Sequence, residues 1–310
     1  MLDLSDPTKQ IAYYDPGVGT FAATGAWTPW ARWWSKTMGL AFGSGLRENL
    51  GEAYSWLMQN WVQGDQVYLF GFSRGAYNAR AVLGLLRALG LIRTGSENFV
   101  PYIVASYSGS LEDMHADAGV FAQTVDAEGH TTVPIQFLGL WDTVKAAGFF
   151  RRSITWPFTR QLPSAERIRH AVSIDERRRP FREYLIDEPN DSSREEVWFT
   201  GVHSDVGGTY TEHKLSTITL KWVAEEAVAQ GLLVRRKKYE FECDVRPDFA
   251  VGTLHKNGAI WRLLGTRQRP IPSGARVHES VKARMASDKS YNPIGNVDVT
   301  WADPDWTTLR

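Results

Sequence analysis

Only one cysteine, Cys243, occurs in the 310 residues. A single thiol excludes a disulfide framework and a multi-cysteine zinc site, and it fits a reducing compartment. An excess of charge of either sign is also missing: 35 basic and 35 acidic residues leave a formal net charge of zero. No global field is available to hold nucleic acid or an anionic membrane, so no nucleic-acid partner is expected. No stretch approaches ~18 uninterrupted apolar residues, which argues against a membrane-spanning helix. The start, MLDLSDPTKQ, carries acids and a proline where a secretory signal needs cations and then an apolar core. A cytoplasmic location is therefore expected, and export by a signal-independent device stays compatible with it. Internal repeats and low-complexity tracts are lacking too.

What is present in ordinary amounts is apolar and charged residues, 43% and 23%, which exclude a wholly disordered chain. Tryptophan is in excess, with thirteen. Four of them, Trp27, Trp30, Trp33 and Trp34, fall in residues 25–46, a stretch without a clean period. With Arg32 and Lys36 beside them, they suit a lid or a transient contact with a lipid surface. Packing against the sheet's outer helix is the plainer alternative.

Elements follow from periodicity. Residues 10–16 read as a short strand ended by Pro16, with a glycine loop after it. Leu50, Tyr54, Leu57 and Trp61 recur at spacings of three and four, so 47–62 reads as a helix. QVYLFGF is a compact apolar run that suits a buried parallel strand, and a helix follows from Arg74 to about Leu89. Residues 133–141 and 196–202 read as further buried strands, 164–178 and 215–230 as helices. Strands alternating with helices predict an α/β fold, a mostly parallel, doubly wound sheet with helices on both faces. Residues 1–232 are expected to form that domain, and 233–310, richer in prolines and loops, a segment that covers it.

The string Gly71-Phe72-Ser73-Arg74-Gly75 follows a predicted strand and opens a predicted helix. In that context G-x-S-x-G marks a sharp turn that lifts a serine hydroxyl to the carboxyl edge of the sheet. Glycine is expected at 71 and 75 because larger side chains would strike neighbouring backbone. The N–H of Arg74, at the positive end of the helix, suits an oxyanion donor. The loop Asp15-Pro16-Gly17-Val18-Gly19-Thr20 offers bare N–H groups, Gly17 and Val18 among them, as a second oxyanion donor or equally as a phosphate cradle, or else forms a plain turn. It lacks the Lys-Ser/Thr ending of a nucleotide-binding loop.

A serine needs a base to take its proton. Seven histidines are available. His115 and His130 precede the next strand, and His170 falls in a predicted helix, where a surface position is the default. His203 ends a strand and precedes the flexible SDVGG, so it is the expected base, with His278 in reserve. Asp142, at the end of VPIQFLGLW, is the expected acid that holds the imidazole. Asp175 and Asp205 are its rivals, though Asp205 is better placed to bind loop N–H groups near Gly207 and Gly208. No metal or other cofactor is required by this chemistry.

In order, YYDPGVGT, GDQVYLFGFSRGAYNAR, FLGLWDTV, DERRRPF and VWFTGVHSDVGGTY resemble the hallmarks of one family. It is the α/β-hydrolase family typified by catalytic domains of type VI secretion phospholipase effectors. The likeness runs from about residue 10 to 225. It implies a Ser–Asp–His esterase site falling on Ser73, Asp142 and His203, and lipid acyl esters as substrates. An immunity or secretion partner is implied if the protein is an effector. The resemblance also implies a strand ending in Asp-Gly-Thr ahead of YYDPGVGT, which the chain starts too late to hold, so a sheet without the family's first strand is expected. Smaller departures are Asn78, Lys145 and Thr209. The expected activity is therefore hydrolysis of lipid esters through an acyl-enzyme. A non-catalytic relative acting as an interaction module, and a hydrolase for some other ester, are the alternatives.

Overall fold

The structure, a computed structural model, describes residues 1–17, 42–107, 133–145, 155–189, 191, 193–256 and 265–310. Helix α1 (Phe42–Asn60) leads to strand β1 (Val67–Phe72), and α2 (Arg74–Leu89) follows at once. Helix α3 (Val100–Tyr107) and strands β2 (Ile135–Trp141), β3 (Ile168–Ser173) and β4 (Arg194–Phe199) come next. After β4 the chain forms α4 (His203–Gly207), α5 (Lys214–Ala229) and α6 (Arg236–Glu242). Strand β5 (Ala275–His278), helix α7 (Glu279–Ser287) and strand β6 (Val299–Ala302) complete the order.

The six strands form one sheet in the order β1-β2-β3-β4-β5-β6, and every neighbouring pair is parallel. Side chains alternate between its faces. Leu138 and Leu140 join a core with α1, α2 and α3, while Phe137 joins Ile218, Trp222 and Val223 of α5 on the other side. The α/β fold with helices on both faces is thus the expected one. Among the described residues, no helix is long and apolar enough to cross a membrane.

Helix α2 shows why the site is rigid. Its sequence is rich in Ala, Leu and Arg, all good helix formers. It is buried nearly all round, from Ala76 to Leu86, and each such Leu contributes about 1.5–3 kcal/mol. It stops at Gly90, whose φ of 65° few other residues adopt readily and whose N–H donates to the Leu86 carbonyl at 2.8 Å.

Three expectations need correction. Residues 164–178 hold no helix: they contain β3, all six of whose residues are buried. A short run buried on both faces carries no period-2 signal, so pattern alone does not separate it from a helix. Residues 10–16 form no strand. Asp15 instead folds its carboxylate back to accept from the Gly17 N–H and from Asn49, which satisfies the backbone locally. The segment 233–310 does more than cover the sheet, because β5 and β6 extend it. In the predicted lid at 25–46, only 42–46 lie among the described residues, and they begin α1.

Candidate active site

A parallel sheet brings the carboxyl ends of all its strands to one edge, and the loops after them form a shared crevice. Ser73 directly follows β1, Asp142 directly follows β2, and His203 starts α4 four residues after β4. Residues far apart in sequence meet there because of topology alone.

Ser73 sits at φ 60°, ψ −122°, a conformation disfavoured for any residue with a Cβ. The turn is pinned on both sides. The Ser73 N–H donates to the Trp141 carbonyl at 3.0 Å, and its own carbonyl accepts from Tyr77, the first turn of α2, at 3.3 Å. A Cβ at Gly71 would lie 2.5 Å from the Gly75 carbonyl oxygen and 2.6 Å from the Ala76 nitrogen, so only glycine fits. The steric argument fails at Gly75, where a Cβ meets nothing within 4 Å.

The His203 imidazole bridges the other two groups. Its Nε2 lies 2.8 Å from Ser73 Oγ, and its Nδ1 lies 2.6 Å from Asp142 Oδ2. Both His203 and Asp142 are buried, while Ser73 is half-buried. A carboxylate accepts only, so Nδ1 carries the proton and Nε2 is left to accept the serine O–H. The ring is held between Phe72, with centroids 4.5 Å apart, and the edge-on Phe181 at 4.9 Å. Its backbone N–H donates to Glu176 at 3.2 Å. Glu176 in turn grips Arg178 through Nε and Nη2 at 2.9 and 2.7 Å. Burial would raise the Glu176 pKa, but the Arg178 hydrogen bonds and charge bring it below its ordinary value.

Asp142 is surrounded by donors. Oδ1 accepts from the Ser173 N–H at 2.9 Å, and Oδ2 from the Ser173 hydroxyl at 3.1 Å. Arg269 donates to both oxygens, from Nη1 to Oδ1 at 2.5 Å and from Nη2 to Oδ2 at 3.1 Å. Burial pushes the carboxyl up. The Arg269 charge and the His203 contact outweigh it and hold Asp142 well below the usual carboxylate range.

The structure therefore brings together Ser73, Asp142 and His203, with Arg74 as first residue of the helix behind the serine. Gly17 has a positive φ of 80°, and its N–H donates to Asp15 at 2.7 Å, as in the plain turn. Val18, Trp30, Trp33 and Trp34 lie outside the described residues. Of the rivals, Asp175 accepts from the Gly201 N–H and from Tyr291, each at 2.8 Å. Asp205 binds the Val202 N–H and His255 and makes none of the contacts expected near Gly207 and Gly208. His278 is buried and pairs with Asp303.

His170, expected on a helix surface, is buried in β3. Its Nδ1 meets Glu196 at 2.8 Å, and its Nε2 accepts the Thr143 N–H at 3.2 Å, which fixes the backbone just past Asp142. Burial lowers its pKa.

Sequence reasoning missed Arg269, for which TRQRP carries no motif. It also gave no role to Glu176 and Phe181, although both stand in the quoted DERRRPF string. Among the described residues, no three His, Cys, Asp or Glu side chains gather so as to hold a metal ion.

A family model described as the catalytic domain of Tle1-like phospholipase effectors of the type VI secretion system matches residues 1–226. An uncharacterised protein of Saccharomyces cerevisiae is 31% identical over 193 residues, 59% of this chain and 28% of that protein. Among solved structures, an uncharacterised protein from Pseudomonas aeruginosa aligns with a TM-score of 0.40 at 25% identity, covering 68% of this chain and 31% of that one. The structure of the Tle1 effector bound to the VgrG spike aligns with a TM-score of 0.32 at 22% identity, covering 56% of this chain and 31% of the other. The chain thus spans less than a third of the length of each of these three relatives.

Proposed function

The chain belongs to the family of Tle1-like phospholipase effector catalytic domains of the type VI secretion system, and from that premise we propose that it is a serine hydrolase of lipid acyl esters. The single observation that carries the reading is the His203 imidazole, hydrogen-bonded on one side to Ser73 and on the other to Asp142.

In this mechanism the Ser73 Oγ attacks the ester carbonyl while His203 Nε2 takes its proton. Asp142 stabilises the imidazolium and keeps the ring turned. The tetrahedral oxyanion is received at the start of α2, by the Arg74 N–H and the positive end of the helix. Its collapse breaks the ester C–O bond, and the leaving alkoxide takes the proton from His203. Water then attacks the acyl-enzyme, again giving its proton to His203, and the fatty acid leaves as Ser73 regains its hydrogen. No step calls for a metal.

The substrate class, lipid esters, is carried from the family, as is any secretion or immunity partner. Transient contact with a membrane surface suits such a substrate. The test is labelling with a fluorophosphonate probe. The folded wild type is expected to label, and Ser73→Ala to lose the label altogether. A folded wild type that stays unlabelled overturns the enzymatic reading. Chain-length preference on acyl esters then separates lipid esters from small soluble ones.

A further inference from the structure

Arg269 lies outside the 226 residues that match the family, on the segment leading into β5. Only 5% of it is exposed. Its guanidinium reaches 127 residues back along the chain to touch both oxygens of Asp142. The same two nitrogens also donate to the Ser173 hydroxyl at 2.8 Å, the Ser173 carbonyl at 3.0 Å and the Phe181 carbonyl at 2.5 Å. One side chain thus ties down the acid of the relay, the strand end behind it and the residue whose ring flanks His203.

We propose that Arg269 is a positioning residue of the hydrolase site, a clamp supplied by the C-terminal segment that fixes Asp142 against His203 and offsets its charge. The proposal rests on the reading of Ser73, His203 and Asp142 as the hydrolytic machinery. Two physical consequences follow from a planar fork on a carboxylate. The fork sets orientation, because two parallel N–H donors hold the plane of the carboxylate while the remaining capacity of Oδ2 faces Nδ1. Its positive charge weakens the hold of Asp142 on a proton taken up by the imidazole. Without that charge the pair keeps its extra proton to higher pH, whichever of the two groups carries it. The other charged and titratable groups facing the pair are Glu176 with its partner Arg178, Glu183 at 3.7 Å from Arg269 Nε, and His170 behind Asp142. None of them is itself substituted when Arg269 alone is changed, and only Glu183 loses an ion-pair partner.

The experiment measures the rate of fluorophosphonate labelling of Ser73 against pH for the full chain, in wild type, Arg269→Met and Arg269→Lys. Arg269→Met is expected to label about 10- to 100-fold more slowly. The midpoint of its pH profile should move up by about half a unit or more. Arg269→Lys keeps the charge but not the fork. It should hold the midpoint of the wild type and still label about tenfold more slowly. Folded Arg269→Met with the wild-type rate and midpoint overturns the clamp. If Arg269→Met does not fold, Arg269→Lys labelling at the full wild-type rate overturns it instead. A wild type that does not label overturns the hydrolase reading, and the clamp falls with it; a labelling wild type with an indifferent Arg269 overturns the clamp alone.

Discussion

Two places in the molecule assemble the same four residue types. At one, Arg269, Asp142, His203 and Ser73 are linked in a row. At the other, Arg310 donates to Asp303 at 2.8 Å, His278 Nε2 meets Asp303 at 3.3 Å, and His278 Nδ1 meets the Ser280 hydroxyl at 2.8 Å. The two differ in tautomer and in the backbone under the serine. His203 turns Nδ1 to the carboxylate and Nε2 to a serine on a strained turn, half-open to solvent. His278 turns Nε2 to the carboxylate, and its Nδ1 also accepts the Ser280 N–H, capping the start of α7. Ser280 is two residues away, buried, and part of a helix. The first arrangement aims a base at an accessible hydroxyl, and the second satisfies a helix end with the same atoms.

Exchanging the roles of the two histidines gives the largest effect. His203→Ala is expected to lower ester hydrolysis by about 10³-fold or more, with a stability cost of about 1–3 kcal/mol because it empties the place between Phe72 and Phe181. His278→Ala should cost stability alone. It empties a buried site stacked on Phe199 and leaves Asp303 with Arg310 as its remaining side-chain partner, at a cost of about 2–4 kcal/mol, with activity per folded molecule nearly unchanged. Kinetics and urea unfolding on both variants check this. Equal loss of activity in both would erase the distinction.

How far the sequence reveals the difference depends on the kind of signal. Ser73, Asp142 and His203 were legible because each sits at the end of an apolar run, and a parallel sheet turns strand ends into neighbours. Gly71 was legible for a steric reason that Gly75 does not share. β3 was not, since IRHAVS is buried on both faces and its His170 and Arg169 look like surface residues. Arg269 was not legible either. A contact across 127 residues leaves no local trace, and TRQRP resembles any charged loop. The same holds for β5 and β6, four residues each in a segment full of prolines and turns.

Acid titration separates the two regions on the pH axis. Burial lowers the pKa of His278, and Asp303 only partly opposes it. The unfolded chain takes up that proton near the ordinary histidine value of about 6.5 and the folded chain does not. Stability from this group is therefore complete above about pH 6.5 and is lost as pH falls below it, by at most about 1.4 kcal/mol per pH unit. His170 adds a slope of the same sign. Asp142 is lowered, so its contribution stays whole until pH falls below the ordinary carboxylate range of about 4. Unfolding free energies between pH 7.5 and 5 should decline in wild type, and more shallowly in a folded His278→Gln variant. An unchanged slope in that variant would mean the cap does not hold its histidine neutral.

The smallest effect concerns the two serines. Ser73 bears a Cβ at φ 60°, ψ −122°, which costs the fold about 1–3 kcal/mol. Glycine relieves that strain, though it adds freedom to the unfolded chain, so Ser73→Gly should abolish labelling and raise stability by about 1 kcal/mol. Ser280→Gly loses a buried hydrogen bond and a better helix former, and should lower stability by about 1 kcal/mol. Opposite signs from the same substitution, read by thermal unfolding, would show that backbone strain is stored under the serine that faces solvent and not under the one in the first turn of α7. A loss of stability in Ser73→Gly would mean that the turn is held by its hydroxyl contact with His203 and that the backbone carries little of the strain assigned to it.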